Sequence, residues 1–381
     1  MNNQSKNYFK GIAMMAGTII GVGVFAVPYV MAKSGVLIGL AYFVILGIIL
    51  IYNHLLYGEA ILRTGTKHRL AGLAEMYLGK KWEYVTLLVT MLSFYGGLIA
   101  YIIIGGEFLR VLLIGTFGGS LLLYQVIFFV VMALVVLIGL KIIFFAEFLM
   151  TMFLLITAGI LIFGGLPYVD FNNFLTVDFN NFFLPYGVIL FSLAGAAAIP
   201  EVIDAMGSAK KKIKGVVILG TIIPIIVTVL FGLVVVGVNG IDTTQDAIEG
   251  FGLVVGHWIV VLGAFFGLFA VATSFLAMGI YLKDQFELDM GLNNLFSWFL
   301  AVFIPFLVFL FGSRDFIKVV GFTGAVFAGF EGVLIVVIYM LAKKRGKRKP
   351  EYIVKIHWFF ALLMIAVFLT GVIYEIWGVL I

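Results

Sequence analysis

Long apolar stretches dominate this chain and decide what it can fold into. Each runs for about 20 residues or more with few charged side chains, which is the length that a helix needs to cross the hydrocarbon core of a bilayer. They cover approximately residues 11–32, 35–62, 82–113, 120–141, 143–166, 182–208, 213–238, 251–282, 291–312, 315–342 and 353–380. We therefore predict an all-α integral membrane protein with 11 transmembrane helices, numbered spans 1 to 11 in chain order.

Composition supports this class and excludes several kinds of chemistry. Hydrophobic residues make up 64% of the chain and charged residues 11%, whereas a soluble domain is nearer one half and one quarter. Because cysteine is absent, disulfides, cysteine-ligated metals and cysteine nucleophiles are excluded. The four histidines (His54, His68, His257 and His357) show no metal-ligand spacing, and we interpret each as a loop or interface residue. The sequence therefore predicts no cofactor.

Lysine and arginine predict how the chain is oriented. With a cytoplasmic N-terminus, all but four of the 24 basic residues fall on the cytoplasmic side, as the positive-inside rule requires. The four exceptions are Lys33, Arg110, Arg314 and Lys318. The first stretch is too long for a signal-peptide core and has no cleavage site, so we predict an uncleaved span. We expect a multi-pass protein of the cell membrane with a cytoplasmic N-terminus and an extracellular C-terminus.

The segments between the spans are short. The longest are 63–81 and 167–181, and neither is long enough to form a soluble domain, so function must lie among the spans. The basic run KKRGKRK at 343–349 lies between two spans on the basic side. We interpret it as an orientation anchor that contacts anionic lipid and predict no nucleic-acid partner.

Two similar segments indicate an internal repeat. GVFAVP, which ends at Pro28, aligns with GAAAIP, which ends at Pro200. The same shift along the chain, which we call the repeat shift, places spans 1–5 (residues 1–166) on spans 6–10 (182–342) and leaves span 11 (353–380) unmatched. Five spans is an odd number, so the second unit enters the membrane from the opposite side, as in secondary transporters. Chance alignment of two glycine- and alanine-rich segments is the alternative, and agreement of all five span positions argues against it.

Both similar segments weaken the helix that contains them. In AGTIIGVGVFAVPY, from Ala16 to Tyr29, each glycine costs a helix about 1 kcal/mol relative to alanine, and proline removes a backbone donor. We predict unwinding near Ile20–Val24, and a second break in SLAGAAAIPEV, from Ser192 to Val202. Freed N–H groups suit a carboxylate, and freed carbonyls suit an ammonium group or a metal cation. An α-amino acid needs both. A packing role for Gly17-x-x-x-Gly21 is the competing interpretation.

These segments resemble a known family. GTIIGVGVFAVP is similar to the first-span signature of permeases in the amino acid–polyamine–organocation superfamily. Together with FSLAGAAAIPEV (Phe191–Val202) and TSFL (Thr273–Leu276), it makes the chain most similar to the amino acid/auxin permease branch, which includes bacterial aromatic amino-acid permeases. YIIIGGEFL (Tyr101–Leu109) and GLKIIFFAEF (Gly139–Phe148) are weaker similarities. The resemblance implies a five-plus-five inverted-repeat fold of the leucine-transporter type, with broken helices 1 and 6 and a site between spans 1, 3, 6 and 8.

The resemblance also implies which residues contact substrate, namely Thr18, Ile19, Val22, Gly23, Phe191, Ser192 and Ala194. The N–H groups of Val22 and Gly23 would hold the carboxylate, and carbonyls of the two breaks would take the ammonium. The chain departs from the bacterial aromatic permeases at Ala196–Ala198, which are small and apolar. That departure leaves the size of the substrate open.

Sodium is the predicted coupling ion. It needs about five or six oxygen ligands, which carbonyls and hydroxyls must supply here. The break in span 1 and one segment of span 8 provide them, at Gly17, Ile20, Ala270, Thr273 and Ser274, and the resemblance places a cation at these positions. The alternative is that the two hydroxyls bond only to carbonyls of their own helix. Span 5 has no lysine in its apolar body to replace the ion with an amine.

Proton coupling is the rival mechanism. Ionisable residues within a span are functional candidates, and Glu331 near the middle of span 10 and Glu107 in the outer half of span 3 are the possible proton carriers. A structural hydrogen bond to a neighbouring helix is the alternative role. Glu59, Glu147 and Asp204 lie near cytoplasmic ends, where we expect solvated or gating roles, and the helix dipole alone favours Glu201.

We therefore predict a sodium-coupled symporter of neutral, hydrophobic or aromatic L-amino acids. No acidic residue lies in the predicted site, which argues against a cationic substrate. A proton-coupled permease and a non-transporting amino-acid sensor on the same fold stay open. A membrane enzyme would need clustered His, Asp or Glu near one interface, and a channel would not need two breaks at matching depths. The expected partners are the amino acid and membrane lipid, and the oligomeric state is left open.

Overall fold

The structure, a computed structural model, describes residues 3–65, 69–138, 143–288 and 291–380. Within these ranges the chain forms helices and connecting loops and no β-strand. The α-helices are α1 (Asn3–Ile19), α2 (Gly23–Ser34), α3 (Val36–Thr64), α4 (Leu70–Leu78), α5 (Lys80–Phe117), α6 (Leu121–Ile138), α7 (Ile143–Gly165), α8 (Leu184–Ser192), α9 (Ile199–Met206), α10 (Ile213–Asn239), α11 (Glu249–Val255), α12 (His257–Leu288), α13 (Asn294–Trp298), α14 (Ile304–Phe311), α15 (Phe316–Phe322), α16 (Gly329–Arg345) and α17 (Trp358–Leu380).

The helices are long and apolar enough to make this a multi-pass membrane protein. Among the described residues nine helices can each cross a bilayer, and the pair α1 and α2, bent by 55°, makes a tenth. Helix α7 coincides with the predicted fifth span, and the apolar helical segment Leu155–Tyr168, which begins in α7 and ends in the 3-10 turn after it, is shorter than a full span. The multi-pass class is confirmed, and the total of 11 spans stays a prediction.

Apolar side chains cover the outside of the helix bundle as well as its core. On α3, Leu37, Val44 and Ile48 are each about half exposed or more, while Leu46 and Leu50 on the same helix are buried. A protein in water rarely presents large apolar patches of this kind. In a bilayer the same surface faces lipid, so the exposed side chains are where the membrane requires them.

Spans 3 and 8 pack side by side in opposite directions. A Cβ added to Gly97 of α5 would lie 2.9 Å from Met278 Sδ of α12, and one added to Gly267 of α12 would meet the Phe108 ring of α5. Advancing along α5 therefore means going back along α12. Glycines at these points let the two helix backbones approach closely.

Contacts between the two halves of the chain recur under the repeat shift, which carries Pro28 onto Pro200. The repeat shift carries Phe108 of α5 onto position 280 of α12 and, in reverse, Gly267 of α12 onto position 95 of α5. The contact between Phe108 and Gly267 therefore corresponds to one between positions 95 and 280. The rings of Phe94 and Tyr281, one residue away on each helix, meet edge to face with centroids 5.0 Å apart. Any antiparallel pair of helices gives contacts in this register, so the inverted repeat and its domain bounds stay a prediction.

The loop before α17 is fastened to the end of α3. Glu59 is fully buried, pairs with Arg63 at 2.7 Å and accepts the backbone N–H of Val354 at 2.5 Å. The Tyr352 hydroxyl donates to the Leu55 carbonyl at 2.7 Å. Burial, followed by the nearby Glu59 charge, raises the pKa of Tyr352 well above its ordinary value, so this hydroxyl stays a donor. Glu59, expected from the sequence in a solvated or gating role, is a buried structural anchor because the loop covers it.

Candidate functional site

The first break separates α1 from α2. The α-helical ladder ends where Ile20 N–H donates to Ala16 O at 2.9 Å, and the next bond is a tighter turn from Val24 N–H to Gly21 O at 3.2 Å. Among the described residues the N–H groups of Gly21 and Val22 have no backbone partner. The unwinding predicted at Ile20–Val24 is therefore seen, at residues 20–22. It leaves free donors at the start of α2 and free carbonyls at the end of α1.

The second break separates α8 from α9. Ala194 N–H turns back to Phe191 O at 3.2 Å, and Ala198 N–H to Gly195 O at 3.1 Å, so the chain tightens into short turns. The buried Ser192 hydroxyl donates to Ile189 O of its own helix at 2.9 Å. Its two lone pairs stay available to a ligand.

The two breaks touch each other through their glycines. A Cβ on Gly23 would lie 2.7 Å from Ser192 Cα and 3.2 Å from Phe191 Cδ1. A Cβ on Gly195 would lie 2.8 Å from Ile19 Cδ1. The repeat shift carries Gly23 onto Gly195 and Ile19 onto Phe191, so the contact is reciprocal. The structure thus brings together four of the predicted substrate residues at one place, the junction.

The junction is open on one side. Thr18, Ala194 and Ala197 are exposed although they lie in mid-span, and a Cβ on Gly21 would have no atom within 4 Å. We call the space beside these four residues the vestibule. By contrast, α2 is buried from Gly23 to Pro28 and α8 from Pro185 to Leu190.

The vestibule faces the end of the bundle reached by α1 and α9. Gly11 of α1 packs against Met206 of α9, where an added Cβ would lie 3.1 Å from Sδ. Lys6 and Lys10 lie in α1, and the lysines at 210–212 follow α9. We call this side the basic end. Of the described residues at the junction, those beside α1 and α9 are thus exposed, whereas those along α2 and α8 are buried.

The predicted cation residues lie around the first break and α12. Ile20 lines a small cavity together with Gly263 and Gly267 of α12. Gly267 lies about one helical turn before Ala270. Thr273 Oγ1 lies 3.0 Å from Ala270 O and 3.1 Å from Phe269 O, so its single hydrogen is directed to these two carbonyls of its own helix. This is the own-helix bonding named as the alternative, although the hydroxyl keeps its lone pairs. Gly17 and Ser274 are partly buried, and the cation site stays a prediction.

One wall of that cavity carries an unexpected polar group. Thr157 of α7 is buried, lines the cavity beside Ile20, and its hydroxyl has no hydrogen-bond partner within the described chain. The other walls are apolar, with Phe25 and Phe231 among them. About 20 Å³ is open to the centre of a water molecule, which is enough for one.

The two predicted proton carriers differ in their surroundings. Glu331 is partly buried and accepts a hydrogen bond from the Thr90 hydroxyl at 3.2 Å. Its span contains a π-helical stretch at Thr323–Ala328, where a Cβ on Gly324 would lie 2.7 Å from the backbone nitrogen of Phe191. The contact with the second break is therefore made by Gly324, seven residues before Glu331 in the same span.

Glu107 is the other predicted proton carrier. It is partly buried in α5, and the charges that act on it are those of Asp246, Glu249 and Arg110. None of these groups belongs to the breaks. Neither carboxylate has been shown to carry a proton, and both stay predictions.

His54, predicted from the sequence to be a loop or interface residue, lies inside helix α3 and at the junction. It is 1% exposed, and its Nδ1 lies 3.2 Å from Thr221 Oγ1, which donates to Val217 O at 2.8 Å. Nδ1 is therefore the donor, and Nε2 keeps its lone pair. His54 Cε1 lies 3.3 Å from where a Gly195 Cβ would be. An ionisable side chain in mid-span was the available signal.

Comparisons with known proteins agree with this architecture. The model of the tryptophan/tyrosine permease family matches residues 4–377. Tyrosine-specific transport system 1 of Haemophilus influenzae is 26% identical over 94% of this chain and 93% of its own. Glutamine transporter 2 of Aliivibrio fischeri is 25% identical over 90% of each chain. Tyrosine-specific transport system 2 of H. influenzae is 27% identical over 83% of each.

These matches cover nearly the whole chain and decide its class. A permease family and relatives named as transport proteins indicate a membrane transporter rather than an enzyme. The wider superfamily suggested by the motifs stays a prediction. On the match over residues 4–377, the chain belongs to the tryptophan/tyrosine permease family.

Proposed function

We propose that this protein is a secondary active transporter of neutral, aromatic or other hydrophobic L-amino acids, working by alternating access around the junction. The observation that carries the proposal is the contact between the two breaks at Gly23 and Gly195, which places free backbone donors and acceptors together in mid-bundle. Paired broken helices in two halves are typical of secondary transporters. Relatives named for tyrosine and for glutamine support a neutral amino acid.

The junction suits the two charged groups of an amino acid. The N–H groups of Val22 and Gly23 begin a helix, where partial positive charge favours a carboxylate. The carbonyls of Thr18, Ile19 and Phe191 end half-helices, where negative partial charge favours an ammonium group.

The surroundings of the junction suit an uncharged side chain. Phe191 offers an aromatic wall, and Ala194 and Ala197 leave open space beside it. Of the described residues that meet at the junction, none carries a carboxylate. A substrate with an additional charge would therefore lack a partner.

Sodium is the proposed coupling ion, held by the carbonyls of Gly17, Ile20 and Ala270 and the hydroxyls of Thr273 and Ser274. The cavity shared by Ile20 and α12 supports this, because it places the first break one turn from Ala270. Proton coupling through Glu331 is the second candidate, favoured by the contact of its span with Phe191. A sensor would bind the amino acid without moving it.

Uptake into proteoliposomes tests the proposal. Sodium and pH gradients are imposed separately, with tyrosine, tryptophan, phenylalanine, leucine and glutamine as substrates and lysine and glutamate as competitors. We expect sodium-driven uptake, inhibited by neutral amino acids. Better competition by lysine or glutamate than by every neutral amino acid would contradict the proposed specificity. Binding without counterflow would indicate a sensor.

A threonine pair tests the coupling ion. Thr273→Ala should raise the sodium concentration for half-maximal uptake about tenfold, equivalent to ~1.4 kcal/mol, with little change in substrate affinity at saturating sodium. Thr370→Ala is the matched control, because the Thr370 hydroxyl also donates within its own helix, at 2.8 Å, but lies in α17. Full pH-driven uptake without sodium, unchanged in Thr273→Ala, would establish proton coupling instead.

A further inference from the structure

Arg69 connects three parts of the bundle at the basic end. It directly precedes α4, yet its Nη2 lies 3.8 Å from Glu201 Oε1 of α9, and its Cζ lies 4.4 Å from the centre of the Tyr281 ring of α12. The Arg69 side chain is 57% exposed and that of Glu201 52%. The 3.8 Å separation exceeds a hydrogen-bond length. The two charged groups therefore face each other without a direct hydrogen bond.

This group lies on the open side of the junction and not within it. Glu201 follows Gly195 by six residues, and Tyr281 follows Ser274 by seven. Along the continuous helix α12, at about 1.5 Å per residue, Tyr281 lies roughly 10 Å beyond Ser274. Glu201 is the third residue of α9, after the short turn at Ala196–Ala198. Half-helix α9 follows the vestibule residues Ala194 and Ala197 in the chain, and α12 contains the predicted cation residues Ala270, Thr273 and Ser274. We therefore place this group between the junction and the basic end.

The chemistry of the group matches an amino-acid head group. A guanidinium that lies over an aromatic ring keeps the N–H donors at its edge, and their fork geometry fits a carboxylate. The Glu201 carboxylate beside it accepts an ammonium group. Phe94, edge to face with Tyr281 at 5.0 Å, adds an aromatic wall for the side chain.

We propose that Arg69, Glu201 and Tyr281 form a second, weaker binding site for a zwitterionic amino acid, in the vestibule and distinct from the junction. The carboxylate binds Arg69, the ammonium binds Glu201, and the two charges of the ligand replace the loose ion pair. The proposal rests on amino-acid transport as the function. The competing explanation is an exposed ion pair that binds nothing, which would contribute little.

Equilibrium binding to purified full-length protein tests the proposal. The probe is tritiated L-tyrosine, or L-glutamine if only that is transported. The wild type should bind two molecules per chain with different affinities. Arg69→Gln should lose the weaker site and keep the tighter one, and Gly23→Leu should do the reverse. Arg345→Gln removes the same charge from an exposed position at the end of α16, and it should keep both sites.

Two further variants separate binding from charge and folding. Arg69→Lys should weaken the second site about tenfold or more, because the fork of donors is lost while the charge stays. Glu201→Gln should weaken the same site and spare the junction. A single site in the wild type, unchanged by Arg69→Gln, overturns this proposal and leaves the proposed function standing. If Arg69→Gln and Glu201→Gln each lose binding at the junction as well as at the second site, the proposal is also overturned. No binding of any amino acid by the wild type overturns the proposed function itself.

Discussion

Replacing Gly23 by alanine tests whether the two breaks must touch. The new Cβ would lie 2.7 Å from Ser192 Cα and 2.8 Å from Ser192 Cβ, and because a Cα belongs to the backbone it cannot rotate away. At Gly195 the nearest atoms belong to the flexible side chain of Ile19. At Gly21 no atom lies within 4 Å. The three glycines therefore form a graded series within one site.

The size of the effect follows from the clash. Overpacking a closely packed contact by one methyl group costs about 1–3 kcal/mol. Moving the two breaks apart would relieve this strain, but it would also separate the groups that hold the carboxylate and the ammonium of the substrate. A loss of the same ~1–3 kcal/mol in binding free energy lowers affinity about 5- to 150-fold. We expect Gly23→Ala to weaken amino-acid binding at least about fivefold and to lower the melting temperature. Gly195→Ala should do less, and Gly21→Ala should leave the melting temperature nearly unchanged.

The measurements are equilibrium amino-acid binding and thermal unfolding of the purified protein in detergent. Gly23→Leu extends the series, because its larger side chain occupies the space of the carboxylate, and it should abolish uptake. Equal affinity and equal melting temperature for Gly23→Ala and Gly21→Ala would refute the reasoning, since the two variants differ only in the predicted clash.

Three other substitutions test individual contacts. Thr157→Val should raise the melting temperature, because a buried hydroxyl without a partner costs about 1–3 kcal/mol of stability and valine has nearly the same shape as threonine. A lower melting temperature would mean that the hydroxyl binds a water or an ion in its cavity. Glu59→Gln should lower the free energy of unfolding by about 3–5 kcal/mol, because it leaves Arg63 without its buried partner. Glu351→Gln, at a more exposed pair, should lower it by at most about 1 kcal/mol. Equal melting temperatures of the two variants would show that burial of Glu59 does not matter. His54→Leu should weaken amino-acid binding, because the imidazole packs behind the second break. An unchanged binding curve would show that His54 contributes only to packing.

Much of the membrane architecture follows from local features of the sequence. Hydropathy over about 20 residues predicts a spanning helix because the bilayer acts on each segment separately. The break in span 1 was also predictable, to within a turn of helix, from the glycines around Gly21 and from Pro28. Glycine weakens a helix wherever it stands, since its cost is a property of the backbone. The internal repeat indicated which second segment would be its partner.

The composition of the junction depends on contacts that no local pattern encodes. Gly23 against Ser192, Gly195 against Ile19 and His54 behind the second break all join residues from different halves of the chain. Spans that are apolar on every side do not show which face meets a neighbour, because lipid and protein interior are equally apolar. In long spans such as α5, α12 and α16 the amphipathic pattern that orients a helix in a soluble protein is nearly absent.

The class of protein, the positions of most spans and the places where two of them unwind were thus predictable before folding was considered, because they depend on short-range hydropathy and backbone chemistry. Three features become visible only in the folded chain: the contact of the breaks through Gly23 and Gly195, the exposure of the junction beside α1 and α9, and the approach of Arg69 to Glu201 and Tyr281. These features depend on how closely packed helices turn their faces to one another. In a membrane, side-chain shape and small residues decide that packing, not the difference between apolar and polar positions.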